Sequence, residues 1–281
     1  MALRSILVHL DAGERAASRV AAAAALAIQH EAHLVGVAPT GWPTMSADWS
    51  GGTGVIGYVE AAVQALREQA QGAARRFEQQ AAALGVTSIE TRVEVGETGD
   101  VMALHARYGD LTVVTQVDPE RWVTNEAPQM PQQVLMNSGR PLLVLPYAGE
   151  LSLPLATNVL VGWDASREAA RALADALPLL RRAGNVQVAV FEAPQEVEPR
   201  HGDLPGADIG QWLARHGVHV DVARIATSVP VGEALLSRAA DLQADLIVIG
   251  GYGHSRWRET MLGGVTRTLL RSSPVPVLMS H

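Results

Sequence analysis

The residues of this chain whose types and spacing could do chemistry lie close to its C-terminus: Gly250, Gly251, Gly253, Gly263 and Gly264, spaced G-x-x-G, nine residues, then G-G. Positions without side chains let backbone amides close on an anion. Ile247, Val248 and Ile249 precede them as a short apolar run suited to a strand covered on both faces. Val265 to Arg271 follows with helical composition, so Gly263 and Gly264 fall at a helix N-terminus, where free N–H groups and the helix dipole favour negative charge. Val265 and Thr266 open that helix, and Thr266 adds a hydroxyl. Pro274 and Pro276 end the helix and lead into a last strand, VPVLM. The predicted chemistry is the holding of a phosphate.

A second candidate is Asp164, in VGWDASREAA, at the end of another predicted strand. In an open parallel sheet ligands bind beyond the carboxyl ends of strands, so this carboxylate is placed to reach a sugar or a base. The plain alternative is helix capping: Asp164 or Ser166 satisfies the N–H groups that open the helix at Arg167. Both roles remain open. His254, Arg256, Arg258 and Arg267 decorate the glycine segment and its helix, either as phosphate donors or as an ordinary solvated surface.

The elements that position these residues are written twice. SILVHLDAGERAASRVAAAAALA, from Ser5, aligns with NVLVGWDASREAARALADALPLL, from Asn158, placing Asp11 on Asp164. GDLTVVTQ aligns with ADLIVIGG, placing Asp110 on Asp245, and RPLLVLP aligns with VPVLMS. Strands are expected near 4–10, 33–38, 88–95, 110–115 and 141–145, with helices near 13–30, 57–84, 99–107 and 131–138. In the second half strands are expected near 158–163, 186–192, 219–225, 245–250 and 275–280, with helices near 167–182, 207–216, 231–242 and 264–272. Alternation of strand and helix predicts α/β domains with parallel sheets and right-handed crossovers. The domains are expected at 1–148 and 156–281, joined by the small-residue stretch Tyr147 to Thr157.

The halves differ at the glycines. Thr115 replaces Gly250, Asp118 replaces Gly253, Pro128 replaces Gly263, Gln129 replaces Gly264, and Pro131 falls on Thr266. An acidic side chain and prolines without an N–H are poor neighbours for phosphate. At most one nucleotide per chain is therefore expected, in the second half. For Asp11, without a glycine loop beside it, a capping role is expected.

Spacing and terminal strand together resemble the nucleotide-binding signature of the universal stress protein family, G-x-x-G-x9-G-[ST] followed by a helix and P-V-P-V-L. The resemblance covers essentially all of both halves. It implies two doubly wound, five-stranded parallel-sheet domains in tandem, of the adenine nucleotide alpha hydrolase-like kind. It also implies ATP, with or without Mg2+, held by Asp164, Gly250, Gly251, Gly253, Gly263, Gly264, Val265 and Thr266. The aspartate matching Asp164 lies beside the nucleoside in ATP-binding members of that family. One departure is Gly264, which stands where such members usually carry Ser or Thr, so one hydroxyl donor is missing. The closing strands RPLLVLP and VPVLMS are suited to pairing the halves as an intrachain pseudo-dimer, with a homodimer as a further assembly. The function implied is regulatory, in a stress response; the alternatives are a nucleotide-free interaction protein and a slow adenine-nucleotide hydrolase.

Composition narrows the rest. The chain has 281 residues, 48% of them hydrophobic, enough for a sizeable core. A net charge of −7 without a Lys/Arg-rich run argues against nucleic acid as partner. Zero cysteines exclude disulfides and thiol catalysis. No segment reads as an export signal or a membrane span, so cytoplasmic residence is expected. The histidines show no metal-ligand spacing, and His30 with His33 or His216 with His219 is weak evidence for a site. GTGVIG, Gly52 to Gly57, has no strand running into it and reads as loop. No acid, base and nucleophile set is apparent, and no catalytic residue is assigned.

Overall fold

The computed structural model describes residues 2–43, 54–118, 129–192, 206–253 and 264–281. Gly263, His254, Arg256, Trp257, Arg258 and Pro128 lie outside the described residues. Two compact units are formed, Leu3–Ser138 and Gly139–His281.

The N-terminal unit runs β1 (Ser5–His9), α1 (Ala16–His30), β2 (His33–Pro39), α2 (Gly54–Ala83), β3 (Ile89–Glu94), α3 (Thr98–Ala106), β4 (Leu111–Thr115) and α4 (Met130–Ser138). Its strands pair in the order β3-β2-β1-β4, all parallel, with Leu7 opposite Val35 on one side and Thr112 on the other. β1 and β4 are almost wholly buried, as strands covered by helices on both faces must be. Along α2 the apolar residues Val63, Leu66, Ala70, Ala73 and Phe77 recur on one stripe. Ala70, Ala73 and Phe77 are buried, whereas Val63 and Leu66 are only half-buried.

The C-terminal unit runs β5 (Leu142–Leu145), β6 (Asn158–Gly162), α5 (Arg167–Leu180), β7 (Asn185–Glu192), α6 (Ala207–Arg215), β8 (Asp221–Ala226), α7 (Val231–Asp241), β9 (Leu246–Gly250), α8 (Gly264–Ser272) and β10 (Val277–Ser280). Its sheet order is β5-β10-β9-β6-β7-β8. Every pair is parallel except β5 with β10, where Leu278 stands opposite Leu143 on an antiparallel strand. The closing strand of the first sequence repeat thus lies on the closing strand of the second. On α5, Ala169, Ala172, Leu173, Ala176, Leu177 and Leu180 recur at helical spacing and form its buried face. Ile247 and Val248 of β9 and Leu160 of β6 are almost inaccessible, one face of the sheet lying under α5 and the other under α7.

The two units begin alike. Asp110 accepts backbone N–H groups from Arg4 and Ser5 at 2.7 and 3.0 Å, and Asp245 accepts those of Thr157 and Asn158 at 2.8 and 3.1 Å. Each carboxylate therefore ties the start of one strand to the start of its parallel neighbour, which sets the level at which both strands end.

Candidate functional site

In the C-terminal unit the chain passes from β6 outward to β7 and β8 on one side, and lays β9 and β10 on the other. The carboxyl ends of β6 and β9 therefore flank a topological switch point, where neighbouring loops diverge and leave a crevice. Asp164 lies two residues past β6, and Gly250 is the last residue of β9.

Locally, Asp164 works one step behind the cap. Its Oδ1 accepts the backbone N–H of Ser166 at 3.0 Å and the Ser166 hydroxyl at 2.6 Å. Ser166 Oγ in turn accepts the N–H of Ala169 at 3.1 Å and caps α5. Ala165, between them, takes a left-handed φ of 56°.

Gly250 closes on the backbone of the first turn of α5. A methyl group built on it would stand 2.5 Å from the Ala169 nitrogen and 2.7 Å from the Glu168 carbonyl carbon. No side chain fits there. Gly251 donates its N–H to Ser280 at 2.8 Å, extending the pairing of β9 with β10. Tyr252, rather than a glycine, takes the left-handed turn, with φ of 56°, and donates its N–H to Thr266 Oγ1 at 3.1 Å. Thr266 is buried in the first turn of α8, so its hydroxyl anchors the loop to that helix. Burial raises the Tyr252 phenol above its usual range, against the opposing pull of Arg267. Gly253 faces α5, and a methyl group on it would stand 3.0 Å from Ser166 Oγ and 3.1 Å from Glu168 Oε2. Gly264 opens α8 with no described residue within 4 Å of a built methyl group, and Val265 beside it is half-buried.

Of the residues named from sequence, the structure thus brings together Asp164, Gly250, Gly251, Gly253 and Thr266. Gly264 and Val265 stand at the start of α8. One neighbour was not anticipated: Glu168, whose side chain is 4% exposed and whose Oε1 accepts a hydrogen bond from Arg167 Nε. An acidic residue in the first turn of a helix is ordinary in a sequence. Only the glycine loop lying across it distinguishes this one.

The equivalent place in the N-terminal unit is filled by the chain itself. There β1 and β4 flank the switch point, and Arg19 of α1 reaches across it. Its guanidinium donates to the His9 carbonyl at 2.7 Å, to Thr115 Oγ1 at 2.8 Å and to Asp11 Oδ2 at 2.6 Å. Asp11 does not cap α1 as expected. Its Oδ1 holds the Gly13 N–H at 2.8 Å, its other oxygen takes the arginine, and the N-cap position of α1 is Arg15, which caps with no side-chain bond. A fixed cation with three bonds at this spot outcompetes capping. Pro131 sits in the first turn of α4, where its missing N–H is tolerated but where a phosphate would find one donor fewer. Beside Asp11 a shallow cleft, lined among others by Leu10, Thr40, Gln69 and Thr98, remains between the strand ends and α2.

The histidine pairs do not converge. His33 faces Ser88 and Glu90 at 2.8 and 3.2 Å, while His216 stacks on Trp212 at 4.1 Å between ring centres. Among the described residues no group of three or more His, Asp and Glu side chains could hold a metal ion, and no helix is long and apolar enough to cross a membrane.

Parallel sheets with ligand-type loops at a switch point define the class: doubly wound α/β domains. Residues 156–281 match the Universal stress protein family. The whole chain is similar in fold to a universal stress protein from Archaeoglobus fulgidus, at 16% identity and a TM-score of 0.71, over 98% of this chain and 95% of that one. It is also similar to a functionally unknown protein from Pseudomonas aeruginosa, at 14% identity and a TM-score of 0.57, over 99% of this chain and 92% of that one. The fold is thus shared along the full length. No curated protein matches the chain.

Two predictions arise from this geometry. Gly250→Ala drives a methyl group into fixed backbone and is expected to cost about 2 kcal/mol or more, whereas Gly264→Ala meets no described residue and should change stability by less than about 1 kcal/mol. Urea unfolding of the two variants checks the contrast. The second concerns His9, whose ring is held down from 6.5 to about 4 by burial and by Arg19, against the pull of Asp11. Above pH 7 both folded and unfolded chains carry a neutral ring. As pH falls from 6.5 towards 4 the unfolded chain takes up a proton that the folded one refuses, so stability drops by about 2 kcal/mol at pH 5. His9→Gln should lose that part of the fall between pH 7 and pH 5, read as a smaller shift in urea midpoint than in wild type.

Proposed function

We propose that the second domain, 156–281, binds one adenine nucleotide, ATP or a close relative, and that its occupancy serves a regulatory role in a stress response. The first domain, 1–148, is a degenerate copy that takes none. One observation carries this reading: Asp164, the loop Gly250–Gly253 and the start of α8 meet at a single switch point, and the matching point of the first repeat is plugged by Arg19. Gly264 opens α8, whose first N–H groups suit a phosphate chain. Asp164 stands two residues past the carboxyl end of β6, where a carboxylate is placed to reach a ribose. A ligand bridging α5, the loop and α8 favours the conformation in which all three are together, and a partner reads that state. Regulation by occupancy requires binding alone, so turnover is not part of the proposal, and residence in the cytoplasm suits a nucleotide sensor.

Calorimetric titration with ATP tests it. Wild type should bind one ATP per chain, and Gly253→Val should abolish binding by displacing the loop from Ser166 and Glu168. Gly264→Ser, which supplies the missing hydroxyl, should tighten binding roughly tenfold or more, the worth of one hydrogen bond to a charged group. Absence of binding by folded wild type, unrescued by Gly264→Ser, would leave a nucleotide-free interaction protein as the reading.

A further inference from the structure

Glu168 is the one buried acidic side chain beside the glycine loop among the described residues, and nothing in the nucleotide reading requires it. Its exposure is 4%, and its Oε2 lies 3.1 Å from where a side chain on Gly253 would begin. The carboxylate therefore occupies the positive end of α5, against the same loop whose amides would receive phosphate. Arg167, the cation paired with it, has a side chain 88% exposed, so solvent weakens the compensation. A polyphosphate placed on the loop brings several negative charges close to a carboxylate in a setting of low dielectric, where repulsion is poorly screened.

We propose that Glu168 is a specificity-determining residue that admits a nucleoside triphosphate to this site only when a divalent cation offsets the phosphate charge. The inference rests on the nucleotide reading above. One carboxylate together with phosphate oxygens is the ordinary ligand supply for Mg2+, which keeps several waters and needs no protein cage. Glu168 then serves as a repulsive element against free polyphosphate and as an attractive one for the cation-bound form.

The test is ATP affinity with Mg2+ and with a chelator, for wild type, Glu168→Gln and Arg167→Ala, each first shown to be folded by its thermal melt. Wild type should lose about tenfold or more in affinity when Mg2+ is removed. Glu168→Gln should bind metal-free ATP about as tightly as wild type binds the Mg2+ complex. Arg167→Ala, on an exposed side chain that folding does not need, should depend on Mg2+ more steeply than wild type. Equal wild-type affinity with and without Mg2+ would overturn the role of Glu168 and leave the nucleotide site standing. Should Glu168→Gln fail to fold, an Arg167→Ala protein no more dependent on Mg2+ than wild type would overturn it equally. Absence of binding in every arm would sink the nucleotide reading itself.

Discussion

The C-terminal unit depends on one close approach: the last residue of β9 rests on the first turn of α5, with no room for even a methyl group between them. Everything in the candidate site is referred to that contact. It fixes where the loop leaves the sheet, so Gly251 can continue the pairing with Ser280 and Tyr252 can reach Thr266 on α8. It also lays Gly253 over Ser166 and Glu168. Three segments far apart in sequence are thereby held at the mouth of one crevice. The contact is steric before anything else: it holds the loop in place through packing and through the bonds of Gly251 and Tyr252.

The two repeats keep the same scaffold and differ where the candidate site stands. Asp110 and Asp245 perform one task, bonding the start of the first strand of each repeat. That task belongs to the sheet and survives in both. At the carboxyl ends the copies diverge: Thr115 stands in place of Gly250, and Arg19 stands on α1 where α5 carries the buried Ala172. An alanine leaves the space beneath the strand ends empty of charge. An arginine fills it and neutralises Asp11, the residue that aligns with Asp164. Breaking that pair would leave a carboxylate in a site only 12% exposed, so the plug is held in place by the same charge that it neutralises.

Much of this was legible in the sequence because it is written in periods. Strands and helices lie within a few residues of where apolar runs and helical spacing place them, and the alignment of Asp110 with Asp245 points to a shared role. What the sequence conceals is which atoms face each glycine. The spacing of Gly250 and Gly253 reads as a phosphate signature, yet their nearest neighbours are the backbone of Ala169 and the side chains of Ser166 and Glu168. A packing glycine and a binding glycine look the same in one dimension. Arg19 was hidden for a related reason: its neighbours read as the polar start of an alanine-rich helix, and only the fold brings Thr115, 96 positions away, within reach. Thr266 was expected to supply a phosphate donor; its hydroxyl oxygen accepts the Tyr252 N–H, a bond that the spacing did not reveal and that uses only its acceptor side.

The central claim is that a nucleotide is gripped between the first turn of α5, the loop after β9 and the first turn of α8. Hydrogen exchange measured with and without saturating MgATP tests it most directly. Slower exchange is predicted for the amides of Ser166 to Ala169, Gly251 to Gly253 and Gly264 to Arg267, with no change for Asp11 to Arg19. Unchanged exchange in those three segments, or protection appearing around Arg19 instead, would contradict the account.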